Sequence, residues 1–445
     1  MTKVSHLRDP FAGDRQDGIS EYCRDLFSCF ARSDQRRWGE VYLRGLLHAP
    51  GRRTPANITE KVLGHRAVQP IQQFVNQSTW ASHTVRRYLA ERVAGAAAPQ
   101  AWAVDEVVFP KNGTRSAGVG RQFVGSAGRV VNCQLALATS LVHRGGSLPV
   151  NWHLMLPRHW DEDHELRNQA HVPAEERHRP RWSYVLESLD EVLEWNVPPA
   201  PVLADWTYEP QIEALLVGLE DRNVGYLVEV GPSTLLPVRQ LSGRAPGQRN
   251  PAVDVALALG GRAERVALSW QDSPAARTRH SQFMVVPLGG GPVGAIGRQP
   301  LRPRRAGGYR VQRQLVVEWP FGRPRPRTYW VTNLPADRLA DTVALAELRH
   351  HVAVSQDRLR QNYGLGDFEG RSFRGWHHHV TLASAALGFH TLQELGDVAD
   401  LSAELAAAEL DDDQLEAELE EGLEAELEAQ LEPDLDRAAE LADER

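Results

Sequence analysis

The chain of 445 residues is too long for one ordinary hydrophobic core, so we expect about two or three folded units. The sequence has no run of about 18 apolar residues, which excludes a transmembrane helix. Three cysteines in a chain of this length favour a reducing compartment, and the absence of a C-x-x-C pair argues against a zinc finger. The net charge of −8 is unevenly distributed along the chain. Residues 401–445 hold 18 acidic and two basic side chains, whereas residues 1–400 hold 40 acidic and 48 basic ones. The basic body, residues 1–400, suits a nucleic-acid partner.

The first hundred residues show apolar side chains at helical spacing in two stretches, 19–47 and 69–95. The intervening sequence APGRRTPAN breaks the pattern. We therefore expect an N-terminal helical domain over residues 1–97.

Strand patterns alternate with helical patterns over residues 98–230. AWAVDEVVF and VPPAPVLADWTY are typical of buried strands that end in acids, and SYVLESLDEVLEW is typical of an amphipathic helix. Strands alternating with helices indicate an α/β sheet.

The composition changes again after residue 230. Residues 231–332 are rich in Pro, Gly and Arg with short strand patterns, which predicts a β-rich insertion. Helical patterns return in 333–398, which we expect to complete the α/β core. Residues 399–445 form an acidic low-complexity tail, whose leucines recur every four residues and so favour a loose helix over a coiled coil.

Two aspartates a hundred residues apart are each predicted at the carboxyl end of a strand, where sites gather in α/β sheets. Asp105 and Asp205 could together bind Mg²⁺, a hard cation that prefers oxygen ligands. Two such ions about 3.5–4 Å apart promote phosphodiester cleavage. The alternative is that each aspartate caps the helix that follows its strand.

The segment DFEGRSFRGWHHHVTLASAA, residues 367–386, places polar chemistry directly ahead of an apolar helix. Its acids, its two arginines and its three histidines suggest part of a site for an anionic polymer. A zinc site is an alternative, but consecutive histidines on a helix point in different directions.

These segments, taken in chain order from about residue 22 to 395, resemble blocks of bacterial insertion-sequence transposases, which are DDE superfamily endonucleases with an RNase H-like core. The blocks include AVDEVVFPKNGTRSAGVGRQFVGSAGR, VLADWTYEP, YWVTNLP and YGLGDFEGRSFRGWHHHVTL. The resemblance implies an RNase H-like core interrupted by the β-rich insertion. It also implies cleavage of transposon ends and their transfer to a target.

The resemblance further implies Mg²⁺ or Mn²⁺ as cofactor, double-stranded DNA as partner, a homodimer on DNA, no membrane association, and the nucleoid-containing cytoplasm of a bacterium. Asp105, or its neighbour Glu106, corresponds to the first catalytic acid and Asp205 to the second. The expected DNA contacts are Lys111, Arg115, Arg121, Gln122, Arg371, Arg374, His377 and His378.

The third catalytic acid departs from the family pattern. An Arg, three residues, a Glu, six residues and a Lys would fall on Arg349, Ala353 and Arg360, so alanine replaces the glutamate. Either Glu369 or Asp357 supplies the third metal-binding carboxylate, and our interpretation favours Glu369. The alternatives are a catalytically inactive, transposase-derived DNA-binding or regulatory protein, and a metal-dependent nuclease without strand transfer.

The charge distribution yields a first prediction. Deleting residues 401–445 should raise non-specific DNA affinity, because the tail repels DNA or competes with it for the basic body. Exposed charges interact over about 8 Å at physiological salt, so the effect should be largest at low salt. Salt-titrated DNA binding of the full-length and truncated chains measures it; overlapping curves at low salt would identify a passive tail.

Overall fold

A computed structural model of the protein describes residues 18–209, 211–238, 249–260, 265–271, 278–289 and 312–396. The chain divides into two compact units, Met1–Thr391 and Leu392–Arg445. In the second unit residues 392–396 are described and are helical, and the acidic tail expected over 399–445 lies outside the described residues. The rest of this section concerns the first unit.

Five helices occupy the stretch that the periodicity predicted to be helical. Helix α3 shows why: Thr54 accepts a hydrogen bond from the backbone of Asn57, Pro55 occupies the first turn, and Gly64 ends the helix in a left-handed conformation. The five helices are α1 (Ile19–Leu26), α2 (Ser33–His48), α3 (Pro55–Leu63), α4 (Val68–Asn76) and α5 (Ser82–Ala96).

A large mixed sheet follows. Its strands lie in the order β2-β3-β1-β5-β6-β12-β11-β10-β9, with β4 also paired to β3, while β7 and β8 form a separate pair. The strands are β1 (Ala101–Pro110), β2 (Gly120–Val124), β3 (Arg129–His143), β4 (Gly146–Met155), β5 (Val202–Trp206), β6 (Tyr226–Val230), β7 (Leu235–Pro237), β8 (Arg249–Pro251), β9 (Arg265–Trp270), β10 (Arg279–Pro287), β11 (Gln314–Pro320) and β12 (Thr328–Thr332).

The remaining helices complete the mixed α/β fold that the alternation of patterns predicted. They are α6 (His159–Glu162), α7 (His164–Gln169), α8 (Arg181–Glu194), α9 (Ile212–Asp221), α10 (Ala252–Leu259), α11 (Leu339–Glu347), α12 (Arg349–Asn362) and α13, which begins at residue 373. None of the helices in the described ranges is long and apolar enough to cross a membrane.

The described part of 231–332 is rich in strands, as the composition predicted, but it also contains the short helix α10. Strands β9 to β12 do not stand apart from the core: β12 pairs antiparallel with β6 and extends the main sheet. A Pro/Gly/Arg-rich composition cannot reveal this, because strand patterns do not specify which edge a strand joins.

One face of the sheet carries a continuous apolar core. Ala101 and Ala103 of β1, Leu203 of β5 and Leu227 of β6 pack with the aromatic side chains of the outer strands and with α11 and α12. On the opposite face, helix α8 lies against the sheet through a hydrogen bond of 2.7 Å between Thr139 and Ser188. The sheet is therefore covered on both faces at β3.

Helix α13 is buried because small side chains allow neighbours to approach it. A side chain at Gly388 would meet Leu89 of α5 at 2.6 Å. Trp152 of β4 donates its indole N–H to Ser384 at 2.9 Å. The helix thus joins the N-terminal helices to the sheet.

The second of the three consecutive histidines on α13 lies in the interior, 2% exposed. The ring nitrogens of His378 lie 2.8 and 2.9 Å from the carbonyl oxygens of Val75 and Trp80. Its ring stacks on the Trp80 indole with centroids 3.7 Å apart. Burial lowers the pKa of His378 to about 4, although the hydrogen bonds to the two carbonyl groups favour the protonated ring and oppose this shift.

The other two histidines also have partners inside the protein. Arg86 donates to Nδ1 of His377 at 2.9 Å, and the Tyr42 hydroxyl lies 2.9 Å from Nδ1 of His379. Burial lowers the pKa of both rings, that of His379 to about 4. The expectation that His377 and His378 contact DNA is therefore corrected, because both rings hydrogen-bond to groups of the protein and His378 is buried.

The buried His378 predicts a pH dependence of stability. The pKa of His378 is lower in the folded chain than its ordinary value of 6.5, so between pH 6.5 and 4 only the unfolded chain gains the proton. The contribution of His378 to the free energy of unfolding is therefore complete above pH 6.5 and is lost as the pH falls towards 4. A pKa lowered to about 4 corresponds to about 3 kcal/mol at most.

His378→Gln should therefore flatten the decrease in the free energy of unfolding between pH 6.5 and 4, as measured by urea denaturation at several pH values. His65→Gln, at an exposed histidine, is the matched control and should retain the wild-type slope. Equal slopes in wild type and His378→Gln would contradict the buried, neutral ring.

Candidate active site

Three acids lie side by side on three neighbouring parallel strands. The pairing of β1 with β5 joins Val104 to Ala204, so Asp105 and Asp205 occupy the next position on each strand. On the other side of β5, Asp205 pairs directly with Glu229 of β6. Neighbouring strands are about 4.8 Å apart and residues in register point to the same face. The prediction that the two aspartates lie on neighbouring strands is confirmed.

The acids continue the rows of the apolar core. On β1 the row passes from Ala103 to Asp105, and on β5 from Leu203 to Asp205. Asp205 lies one residue from the end of β5, as predicted, but β1 continues past Asp105 to Pro110 because it remains paired with β3. Asp105 is therefore at the end of the parallel pairing rather than at the end of its strand.

Register also distinguishes the two candidates for the first acid by the face of the sheet on which each lies. Consecutive strand residues point to opposite faces, so Asp105 shares the face of Asp205 and Glu106 does not. The charges that act on Glu106 are those of Arg181, Glu209 and Asp205. Burial raises the pKa of Glu106, although the positive charge of Arg181 opposes the shift.

Arg349 supplies the positive charge of the site. It is the first residue of α12, and its Nη2 donates to Oδ1 of Asp105 at 2.5 Å. Burial disfavours the charged guanidinium, but attraction by Asp105, then by Asp205 and Glu229, outweighs it and raises the pKa of Arg349. The family resemblance had placed this arginine in the site region, and the structure identifies its partner.

Burial also acts on the third acid of the row. It raises the pKa of Glu229, and the charges of Asp205 and Asp105 raise it further, while Arg349 opposes the shift. Sequence analysis did not single out Glu229. Its signal was a lone acid in the otherwise apolar strand GYLVEVG, the next strand along the chain after Asp205.

The carboxylates of this row are of the ligand type that Mg²⁺ and Mn²⁺ require. Oδ2 of Asp105 and Nη1 of Arg349 are buried without a hydrogen-bond partner, so one oxygen of the first aspartate is available to a ligand. Within the described ranges, no group of three or more His, Cys, Asp or Glu side chains is placed so that it could hold a metal ion. At this edge the guanidinium of Arg349 stands among the carboxylates.

The structure does not bring Glu369 to this row. The Glu369 carboxylate pairs with Arg52 at 3.5 Å, and its side chain is 49% exposed. It is not among the charges that act on Arg349 or Glu229. Its loop is held elsewhere, because Asp367 accepts a hydrogen bond from the backbone of Arg53 at 2.8 Å. The expectation that Glu369 shares a pocket with the two aspartates is corrected accordingly.

Helix α12 explains the other two positions of the family pattern. Ala353, where the pattern has a glutamate, is exposed one turn after Arg349, and Asp357 is exposed one turn further on. Arg360 donates to the carbonyl oxygen of Val108 at 2.8 Å. The arginines of α12 thus hold the helix against β1, while its exposed side carries no glutamate at the family position.

The expected DNA contacts divide into two groups. Lys111 donates to the carbonyl oxygen of Phe368 at 3.2 Å, and Gln122 to that of Cys133 at 3.1 Å, so both have internal partners. The arginines are exposed, and the backbone of Ala117 donates to the carbonyl oxygen of Arg371 at 2.9 Å, which joins two of the segments that carry them. The exposed arginines are Arg115, Arg121, Arg371 and Arg374.

Comparison with known proteins agrees with this geometry. A search of curated proteins found no match. Residues 25–276, more than half of the chain, match the family described as DDE superfamily endonuclease. The matched range includes both aspartates and Glu229. The chain belongs to the DDE superfamily endonuclease family.

Proposed function

We propose that the protein is a metal-dependent transposase that cleaves DNA at the ends of an insertion sequence and joins those ends to a target. Family membership gives the coarser statement, a transposase-like nuclease. The more specific proposal of a metal-dependent transposase rests on the parallel register of β1 and β5, in which Asp105 and Asp205 occupy neighbouring positions. Separate functions for these two acids would not require this juxtaposition.

The residues of the chain have distinct parts in this proposal. Asp105 and Asp205 hold the cation, and the backbone N–H of Thr207 donates to Oδ1 of Asp205 at 2.9 Å, which fixes the orientation of that carboxylate. Arg349 fixes Asp105 in the same way. When bound, Mg²⁺ or Mn²⁺ would lower the pKa of a water molecule and stabilise charge on the phosphate.

DNA is the proposed partner, and the exposed arginines are its proposed phosphate contacts. Such contacts position the duplex without reading its sequence. A homodimer on DNA and a cytoplasmic location belong to the same proposal, the latter because the substrate is DNA.

An exposed aromatic pair extends this proposed DNA surface. Phe123 of β2 and Tyr208, three residues after Asp205, are 54% and 63% exposed, and their ring centroids lie 6.2 Å apart. Gly125 lets the β2–β3 turn approach, because a side chain there would meet the Tyr208 ring at 2.5 Å. Exposed rings beside a site for DNA ends are suited to stack on unpaired bases.

Inactive DNA binding is the second candidate function, and Ala353 is the observation that favours it. An inactive descendant would not need a half-buried row of acids, because carboxylates that lose solvation are costly unless they are paired. We therefore favour the active enzyme.

Asp105→Asn and Asp205→Asn should each abolish Mg²⁺-dependent nicking of supercoiled plasmid. We expect a loss of more than about 100-fold, because even outer partners of metal ligands are worth about 10–100-fold. DNA binding should remain. Asp357→Asn, at an exposed acid on α12, is the matched control and should nick as wild type does. Wild-type nicking by either aspartate variant would contradict the proposal.

Replacing both Phe123 and Tyr208 by alanine should weaken binding to single-stranded oligonucleotides more than to duplex, as measured by fluorescence anisotropy. A stacked base is worth about 1–3 kcal/mol, so the loss should be about fivefold or more. Leu257→Ala, at a 45% exposed apolar residue of α10, is the control. An equal loss for both DNA forms would argue against stacking.

A further inference from the structure

We infer that helices α3 and α4 form a helix-turn-helix unit and that α4 reads base edges in the major groove of duplex DNA. The inference rests on the proposed function, because it concerns how the same protein distinguishes its DNA ends. The exposed arginines proposed as phosphate contacts position a duplex without reading its sequence. A second surface is therefore needed for sequence recognition.

The turn between the two helices is short and fixed. Each helix has nine residues, and the turn consists of the residues from Gly64 to Ala67. Gly64 ends α3 in the left-handed conformation. The buried hydroxyl of Thr59 accepts a hydrogen bond from the backbone N–H of Ala67 at 3.0 Å, which ties the start of α4 to α3. Two helices joined by a short turn that contains glycine are typical of helix-turn-helix units.

Helix α2 supports both helices from the interior. A side chain at Gly45 of α2 would collide with Ile58 of α3, so these two helices lie in close contact. Phe74 of α4 packs against Tyr42 of α2, with ring centroids 6.4 Å apart. The buried side chains of α4 are Ile71, Phe74 and Val75. Helix α4 is thus anchored through one side, which leaves the other side exposed.

The exposed side of α4 carries amides and no charged group. Gln69, Gln72 and Gln73 are exposed, and Asn76 lies one turn further along the same face. A side-chain amide donates and accepts hydrogen bonds together, which matches the adjacent donor and acceptor that adenine presents in the major groove. The face also holds no carboxylate that phosphates would repel. Its chemistry therefore suits base edges.

The position of these amides on the helix also suits this role. An α-helix with its side chains is about 10–12 Å across, and the major groove is about 12 Å wide. In helix-turn-helix proteins the N-terminal residues of the second helix contact the bases. Gln69, Gln72 and Gln73 all lie in the N-terminal two-thirds of α4.

The amide face adjoins the arginines proposed to contact phosphates. Oδ1 of Asn76, the last residue of α4, accepts a hydrogen bond from the Ser372 hydroxyl at 3.4 Å. Ser372 lies in the sequence between Arg371 and Arg374, which are both exposed. A duplex whose bases contact α4 would therefore have the proposed phosphate contacts beside it, so the two surfaces are continuous.

The charge of the N-terminal helical domain complements DNA. Residues 1–97 hold 15 basic and nine acidic side chains and so carry six of the eight excess positive charges of the basic body. Arg66, in the turn before α4, is exposed, and its ion pair with Glu60 is exposed too and therefore weak. Charge complementarity thus favours DNA as the occupant of the neutral amide face.

The test is selection of binding sequences by the full-length protein from a pool of randomised DNA duplexes. The wild type should enrich one motif that contains adenine. The variant with Gln69→Ala, Gln72→Ala and Gln73→Ala should bind that motif more weakly by about fivefold or more, the discrimination that a bidentate amide contact provides. Its affinity for the unselected pool should keep the wild-type salt dependence, because the phosphate contacts remain.

Two further variants serve as controls. Gln361→Ala, at an exposed glutamine of α12, is the matched control and should enrich the wild-type motif. The variant with Arg371→Gln and Arg374→Gln should weaken binding to all duplexes alike and reduce the salt dependence, while it enriches the same motif. These responses separate the reading of bases from contacts with phosphates.

Enrichment of the wild-type motif by the triple glutamine variant would overturn the inference, and so would the absence of any enriched motif for the wild type. Either result would leave the proposed function intact if Mg²⁺-dependent nicking still requires Asp105 and Asp205. Alanine favours helix at exposed positions, so we expect the triple variant to fold. If circular dichroism shows a loss of helix, Gln69→Ala and Gln73→Ala as single variants provide the same test.

Discussion

The parallel register of β1, β5 and β6 is the constraint on which the site depends. Backbone hydrogen bonds fix that register, and a shift of one residue in a strand would turn its acid to the opposite face. The same register places the apolar rows of β1 and β5 under α11 and α12. Core and site are therefore two consecutive parts of the same strands, and neither can move without the other.

The burial of the acids follows from this arrangement and explains the placement of Arg349. A row of carboxylates next to an apolar core loses solvation, which opposes their charge. The first residue of α12 brings a guanidinium to Asp105, while Arg360 anchors the same helix to the backbone of β1. Helix α12 therefore covers the apolar core and also neutralises part of the negative charge of the acids beside it.

Sequence patterns predicted the parts of the site that depend on strand order. Asp105 and Asp205 follow buried strand patterns, and alternation with helices implies parallel neighbours, so their proximity could be predicted. Glu229 could not be, because a lone acid in a strand does not reveal its register. The polar run before α13 was misleading, since pattern alone cannot show that His378 meets the carbonyl groups of Val75 and Trp80. Strands β9 to β11 were recognised as strands but not as extensions of the core sheet.

The most direct measurement is anomalous scattering from crystals of the protein grown with Mn²⁺. The account predicts a peak between the carboxylates of Asp105 and Asp205. A peak that lies elsewhere, or the absence of a peak at these two aspartates, would contradict it.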